Sequence, residues 1–340
     1  MARRQQMQST GEAHESARTP DLTIDSDRRA RVIDGMLKHL SERYVFPDVA
    51  ERIAVAIRQN LKNGEYDHIT SALTFAETLR AQLREISQDQ HVWVNFSFEP
   101  LHDEIQDQDF VSRLRSKNFC FEELKRLRGN IGYMKFSAFV SPEHGGETAA
   151  AAMTFLANTA ALVIDLRENG GGDPAMVALI SSYLFDSKPV HLNSLYWRPE
   201  DFTHQWWTLP HVPGARFGPH KSVFVLTSSR TFSAAEEFAY NLQNLKRATI
   251  IGEVTRGGAH PGGLCRIDEH FTVGIPSGRA INPVSKTNWE GTGVKPDVEV
   301  PADQALKTAH LAALREILEK ADDQGLSSEI EDAIENLESA

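Results

Sequence analysis

SVFVLTSSRTFSAAEEFAYNLQNLKRATIIGE, Ser222 to Glu253, runs from an apolar segment (Val223–Leu226) through small hydroxylated residues into an amphipathic stretch, then back to an apolar segment. Ala235, Phe238, Ala239, Leu242 and Leu245 fall at helical spacing, so the stretch reads as strand, loop, helix and strand. Ser233 stands where the loop enters the helix. That position has two meanings. Serine is a favoured N-cap, and taken alone the cap is the commoner role; yet a helix N-terminus also favours negative charge on or near the serine oxygen. The amide of Ala234 faces the same space.

The same alternation extends on both sides. NIGYMKFSAF (130–139), ALVIDLR (161–167), SVFVLTS (222–228) and ATIIGE (248–253) read as strands; GETAAAAMTFLANT (146–159), PAMVALISSYLF (174–185) and SAAEEFAYNLQNL (233–245) read as helices. Such an order predicts an α/β core with a mainly parallel sheet, whose functional loops lie at the carboxyl ends of its strands. Three unusual sequences occupy those loops. DLRENGGGDP (165–174) places Gly170, Gly171 and Gly172 between a strand and a helix, where their amides can point at one small anion; a phosphate cradle loses ground because neither GK[ST] nor GxGxxG follows. The Ser233 loop is the second. The third, GEVTRGGAHPGG (252–263), combines Gly257, Gly258, Gly262 and Gly263, which permit close backbone approach, with His260. Asp165 and Arg167 read as a structural ion pair or as a brace for the glycine loop.

Upstream, three apolar stripes at helical period (Val32 to Leu40, Val49 to Leu61, Leu73 to Ile86) predict a small helical bundle. SQDQHVWVNFSFEP (87–100) then alternates as a strand, with His91 at its head. We divide the chain into a disordered tail at 1–28, a bundle ending in a strand at 29–98, a connector at 99–128, a core at 129–304 and a C-terminal helical segment at 305–340. That last segment has an apolar face through Leu306, Ala309, Ala313 and Ile317, which either docks on the core or pairs with another subunit, so a homo-oligomer is open. SLYWRPEDFTHQWWTLP (194–210) carries Tyr196, Trp197, Trp206 and Trp207, which line a substrate cleft or cover the core.

Composition limits the function. The 340 residues are 41% hydrophobic with a net charge of -11, which suits a globular protein and argues against nucleic-acid binding, since phosphate neutralisation needs clustered Lys and Arg. Two distant cysteines, Cys120 and Cys265, make no disulfide framework or redox pair. Thirteen histidines show no HExxH or comparable ligand spacing, so no metal and no cofactor is implied. Without a signal-like apolar region or a membrane-spanning stretch, the expected location is the cytoplasm.

The stretch 227–263 resembles the nucleophile region of the carboxy-terminal processing (tail-specific) serine peptidases. DLRENGGGDP resembles their oxyanion loop, and NWEGTGVKPDVEV (288–300) their late motif. SERYVFPDVAERIAVAIRQNLKNGEYD (41–67) and EISQDQHVWV (85–94) resemble the interphotoreceptor retinoid-binding protein branch. The resemblance implies a crotonase/ClpP-like ββα spiral core with an N-terminal three-helix bundle and no PDZ domain. Transferred residue by residue, it makes Ser233 the nucleophile. The tail-specific branch activates that serine with a lysine, where this chain has Gly258; the tricorn-type branch uses a histidine and a glutamate, matched here by His91 and Glu290, with Gln90 in place of a serine before the histidine. Gly171 and Ala234 would donate to the oxyanion, while Gly170, Gly172, Gly257, Gly258 and His260 would line the substrate; His260 is also the alternative base. A serine needs such a base to attack near neutral pH, and an imidazole of pKa about 6.5 suits the task. The implied function is a serine-type peptidase acting on peptide or protein substrates through an acyl-enzyme, the substrate binding extended along a strand edge. The alternative is a non-catalytic binder of a hydrophobic ligand, a retinoid or fatty acid, on the same fold.

Overall fold

The computed structural model describes residues 21–101, 107–320 and 324–339. The chain begins with helices α1 (Ser26–Arg43), α2 (Pro47–Lys62) and α3 (Ala72–Ser87). Asp25 caps α1 by accepting from the Arg28 amide, Pro47 opens α2, and Ser71 caps α3 by accepting from the Thr74 amide, each residue supplying what a helix start lacks. Strand β1 (Trp93–Phe96) follows, then helix α4 (Asp107–Ser116) and strand β2 (Phe121–Leu127). The core continues β3 (Ile131–Phe136), α5 (Pro142–Leu156), β4 (Ala161–Asp165), α6 (Pro174–Ser182), β5 (His191–Trp197), β6 (Phe202–Trp207), β7 (Val223–Thr227), α7 (Ala234–Asn244), β8 (Thr249–Gly252), β9 (Gly262–Arg266), β10 (Phe271–Pro276), β11 (Gly278–Ile281) and β12 (Val298–Glu299). Helices α8 (Ala305–Leu318) and α9 (Gln324–Ser339) close the described chain.

The main sheet has the order β12-β8-β7-β4-β3-β2; every neighbouring pair is parallel except β2–β3. Its central strands are buried on both faces. Along β4, Leu162 and Ile164 join the cluster formed with α5, α6 and α7, whereas Ala161 and Val163 join the one formed with α8 and α9. Strand alternation thus divides one apolar run between two cores. The C-terminal segment docks on the sheet through Ala309 and Ala313, both buried. Its acidic end continues as α9, with Ile330 buried.

Two segments are more ordered than the sequence reading expected. Within the expected tail, Ile24 is buried and Thr23 bridges Ser71, while residues 1–20 lie outside the described residues. Within the expected connector, β2 pairs antiparallel with β3; FEELKRL is mostly exposed, so an edge strand there carries charge instead of an apolar alternation.

The bundle is not a detached module. Its buried residues share one cluster with Phe271, Val273 and Ile275 of β10, because β1 pairs with β10 in the antiparallel sheet β1-β10-β9. The turn ahead of β1 is thereby held against strands that continue the core. On the same side, β5 and β6 form a hairpin whose β5 pairs with β11.

Candidate active site

Ser233 follows β7 at the carboxyl edge of the parallel strands and adopts φ 56°, ψ -121°, a region that non-glycine residues rarely occupy and that needs support from its surroundings. The support is visible. The Thr231 hydroxyl donates to Leu166 O at 2.8 Å, the Phe232 amide to Asn169 O at 3.1 Å, and the Ser233 amide to Glu236 Oε2 at 2.8 Å. The Glu236 carboxylate also accepts from the Thr255 hydroxyl at 2.5 Å and from the amides of Gly257 at 2.6 Å and Gly258 at 2.9 Å. One buried side chain therefore locks the serine turn to the glycine-rich loop at Gly257 and Gly258. Sequence reasoning missed it, although serine followed three residues later by glutamate is a legible capping pattern.

His91 stands in the turn between α3 and β1, its amide donating to Asp89 Oδ1 at 2.9 Å. Its Nε2 lies 3.2 Å from Ser233 Oγ, hydrogen-bond distance across 142 residues of chain. The ring stacks on Phe232 at 4.5 Å between centroids, with the Arg256 guanidinium 4.8 Å from the Phe232 ring centre. Burial holds the imidazole pKa down at about 4, helped by the nearby His260 and Arg256 and opposed by Asp89. The ring is therefore neutral at pH 7, the state in which it can accept a proton. Among the described residues its Nδ1 has no hydrogen-bond partner.

Glu290 meets a different neighbour. Its Oε2 accepts from the Ala259 amide and lies 3.4 Å from His260 Nδ1, which is 2.8 Å from Asp89 Oδ2. Tyr44 donates to that same Asp89 oxygen at 3.0 Å. Asp89 and His260, both buried and hydrogen-bonded, thus cluster with the half-buried Glu290, their ligand-type atoms within 4.8 Å of one another, gathered from positions whose spacing in the chain gives no hint of it. Burial first, then the Asp89 charge, push Glu290 up to about 7, with His260 opposing. Among the described residues its Oε1, like His91 Nδ1, has no partner at full hydrogen-bond geometry, while the nearby Gln90 amide draws the Glu290 pKa down.

The glycine loops close around the serine. A Cβ on Gly171 would fall 2.8 Å from Ser233 Cβ and 3.0 Å from the Ala234 amide nitrogen, so this loop touches the helix start. The Gly171 amide itself donates to Asn169 Oδ1 at 2.9 Å, and that of Gly170 to Ser137 O at 3.1 Å. Gly172 packs against the Phe139 backbone. A Cβ on Gly258 would lie 2.3 Å from Phe232 Cε2 and 2.6 Å from His91 Cε1; the two rings fill the space that a side chain there would need. Asp165 and Arg167 form the expected pair at 2.6 Å, Arg167 also donating to Ala302 O.

Two cavities share Pro174 and Leu195, and the smaller reaches the serine. A groove of about 500 Å³ runs between β9 and the β5–β6 hairpin, past Trp197, Phe202, Trp206 and Leu264. A smaller cavity of about 40 Å³ is lined by Ser233, Ala234, Glu237, Ala280 and Trp289. The indole pair Trp197 and Trp206 faces the groove, while Trp207 and Phe202 are substantially exposed.

A strained serine with an imidazole at its hydroxyl and a glycine loop at its back is the arrangement of a serine hydrolase. Residues 130–300 match the model of peptidase family S41, and residues 26–124 match the N-terminal domain of that family in eukaryotic IRBP. The chain belongs to peptidase family S41. It is 34% identical over 103 residues to a tail-specific protease of Haemophilus influenzae, a match covering 28% of this chain and 13% of that protein. In structure it is similar to the photosystem II D1 C-terminal processing protease (TM-score 0.52, 14% identity, 81% of this chain and 94% of the other). It is also similar to the tricorn protease (TM-score 0.55, 14% identity, 92% and 37%). No helix among the described residues is long and apolar enough to cross a membrane.

Proposed function

We propose that the chain is a serine peptidase of the Ser-His-Glu kind, cutting extended peptide segments through an acyl-enzyme. The observation that carries the reading is the 3.2 Å approach of His91 Nε2 to Ser233 Oγ. His91 takes the serine proton as Oγ attacks the scissile carbonyl, then returns it to the leaving amine; a water repeats the sequence to release the acyl group. The Ala234 amide and the Gly171 amide receive the developing oxyanion, the latter exchanging its Asn169 acceptor for the substrate oxygen. A lysine at position 258 would collide with His91 and Phe232, which supports imidazole over ammonium as the activating group.

Glu290 acts as a positioning residue. With His260 it braces Asp89, whose other oxygen fixes the His91 turn, and its charge stabilises the imidazolium that forms during attack. His260 faces two carboxylates, an arrangement that favours a bracing role over that of base. The substrate adds to β9, the edge of the sheet β1-β10-β9, where backbone hydrogen bonds supply affinity, and its side chains occupy the aromatic groove. Unfolded or carboxy-terminal segments fit this mode because their backbones are free to extend.

Incubating the protein with an unstructured polypeptide and mapping the products by mass spectrometry tests the reading. Cleavage by the native chain that is lost in Ser233→Ala supports it. Cleavage that survives Ser233→Ala, or a folded chain that cuts nothing while taking up a retinoid or fatty acid, overturns it.

A further inference from the structure

A third cavity, of about 280 Å³, is lined by Arg80, Arg84, Gln90, Trp93, Phe232 and Arg256. Gln90 precedes His91 in the chain and Phe232 is the ring on which His91 stacks, so the cavity lies next to the base. Arg80 and Arg84 stand one turn apart on one face of α3,, and Arg256 reaches it from the loop after β8. Among the described residues none of the three arginines forms an ion pair. Arg80 donates from Nε and Nη2 to Val94 O at 3.1 and 2.8 Å, a neutral acceptor, and Arg84 Nε is buried without a partner. Burial, then the positive charges of Arg256 and Arg80, draw the Arg84 pKa down. In a chain with 47 acidic residues and a net charge of -11, three guanidinium groups thus converge on one hollow with no carboxylate to offset them. Like charges held together in this way repel, and their arrangement calls for an anion from outside the chain.

We propose that this cavity receives an acidic side chain, Asp or Glu, of the segment that leaves when the peptide bond is cut. The proposal rests on the peptidase reading of Ser233 and His91. The base hands its proton to the leaving amine, so the leaving segment passes on the His91 side of the serine, where this cavity lies. The acyl segment takes the side of the small cavity and the aromatic groove, neither of which shares a lining residue with it. Guanidinium groups bond carboxylates through paired N–H donors in one plane, and a carboxylate seated among three of them supplies the missing counter-charge. Trp93 and Phe232 provide an apolar wall for its methylene stem. Arg256 is exposed, so the cavity meets solvent and a chain can run on past it; an internal side chain fits this opening better than a chain terminus, for which the segment would have to stop there.

The test uses peptides of one sequence with an amidated end, carrying Glu or Gln at each of the first three positions after the cleaved bond, with kcat/KM measured for the native chain and Arg84→Gln. The expected result is that at one of these positions Glu is preferred over its neutral isostere Gln by about tenfold or more, the scale of a hydrogen bond to a charged group. The preference should shrink several-fold in Arg84→Gln and at high salt, while the Gln peptide is cut by Arg84→Gln at the native rate. Equal cleavage of the Glu and Gln forms at all three positions by the native chain overturns the inference, whatever the variant does; if a Gln peptide with a free carboxyl end is then cut faster, the arginines serve a chain terminus instead. A Glu preference that persists in full in a folded Arg84→Gln overturns it too. The same pairs are ranked by Kd on Ser233→Ala, which judges the cavity without turnover: tighter binding of one Glu form supports the inference, and equal affinity at every position contradicts it. Reaction of Ser233 with a fluorophosphonate reports separately on the peptidase reading.

Discussion

At the scale of single residues, the account turns on the protonation of one ring. Free His91 must be neutral to accept a proton, and burial keeps its pKa at about 4; the limb of the kcat/KM profile that reports this ring should therefore have its midpoint near pH 4. A second rise is expected near pH 7, where Glu290 becomes a carboxylate able to stabilise the imidazolium, and it should vanish in Glu290→Gln. A profile with one inflection at 6 to 7 that is unchanged in Glu290→Gln would contradict both assignments. Gly258→Ala tests the packing of the base: its backbone accepts alanine, but the new Cβ meets both rings. Small misplacements of reacting groups are costly, so kcat/KM should fall by roughly 10- to 100-fold with KM and folding little changed. Ser233 and His91 gain their roles in the sequence only through the family resemblance, because a serine at a helix start reads locally as a cap and a histidine at the head of a strand carries no local chemical signal. The contact of Glu290 with His260 could not be read at all, since it depends on how three distant loops pack, and Asp89 carries no local signal beyond lying two residues before the histidine.

At the scale of elements, helices and buried strands were legible because their apolar periods survive in a single sequence. What escaped notice was β2, whose charged edge lacks an apolar face, and the β5–β6 hairpin, whose tryptophans fit a cleft wall as well as a core. Helix α8 shows the opposite case: an apolar face through Leu306, Ala309, Ala313 and Ile317 is legible but its partner is not, and the structure sets the helix on the sheet with Ala309 and Ala313 buried and Leu306 and Ile317 half-buried. Ala313 is fully buried there. Ala313→Glu would place a carboxylate inside the apolar cluster that this helix shares with the sheet, and should destabilise the fold by about 3 kcal/mol or more, read as a lower urea midpoint. A loss below about 0.5 kcal/mol would mean that the helix does not dock in solution.

For the whole molecule, acid and base stability pull in opposite directions. His91, with a folded pKa below its unfolded value, contributes stability above about pH 6.5 that is lost as pH falls toward 4. Glu237 and Glu290, with folded values raised to about 7, contribute stability below about pH 4.5 that is lost as pH rises through 7. Relieving one buried carboxyl should show this sign: Glu237→Gln, compared with the native chain, should gain stability between pH 4.5 and pH 8 by roughly 1 to 3 kcal/mol. Parallel pH profiles for the two proteins would remove the basis for a buried, titrating Glu237. The division of labour between bundle and core has the same global character. The bundle carries the imidazole and the parallel sheet carries the alcohol, and the shared cluster with β10 keeps the two in register.

The rate of fluorophosphonate reaction at Ser233, located by peptide mapping, measures that juncture most directly. The native chain should label at this residue alone, and His91→Ala should slow labelling by roughly two to four orders of magnitude while remaining folded. Labelling of Ser233 at the native rate in His91→Ala, or a folded native chain that never labels, would contradict the claim that this imidazole activates this alcohol.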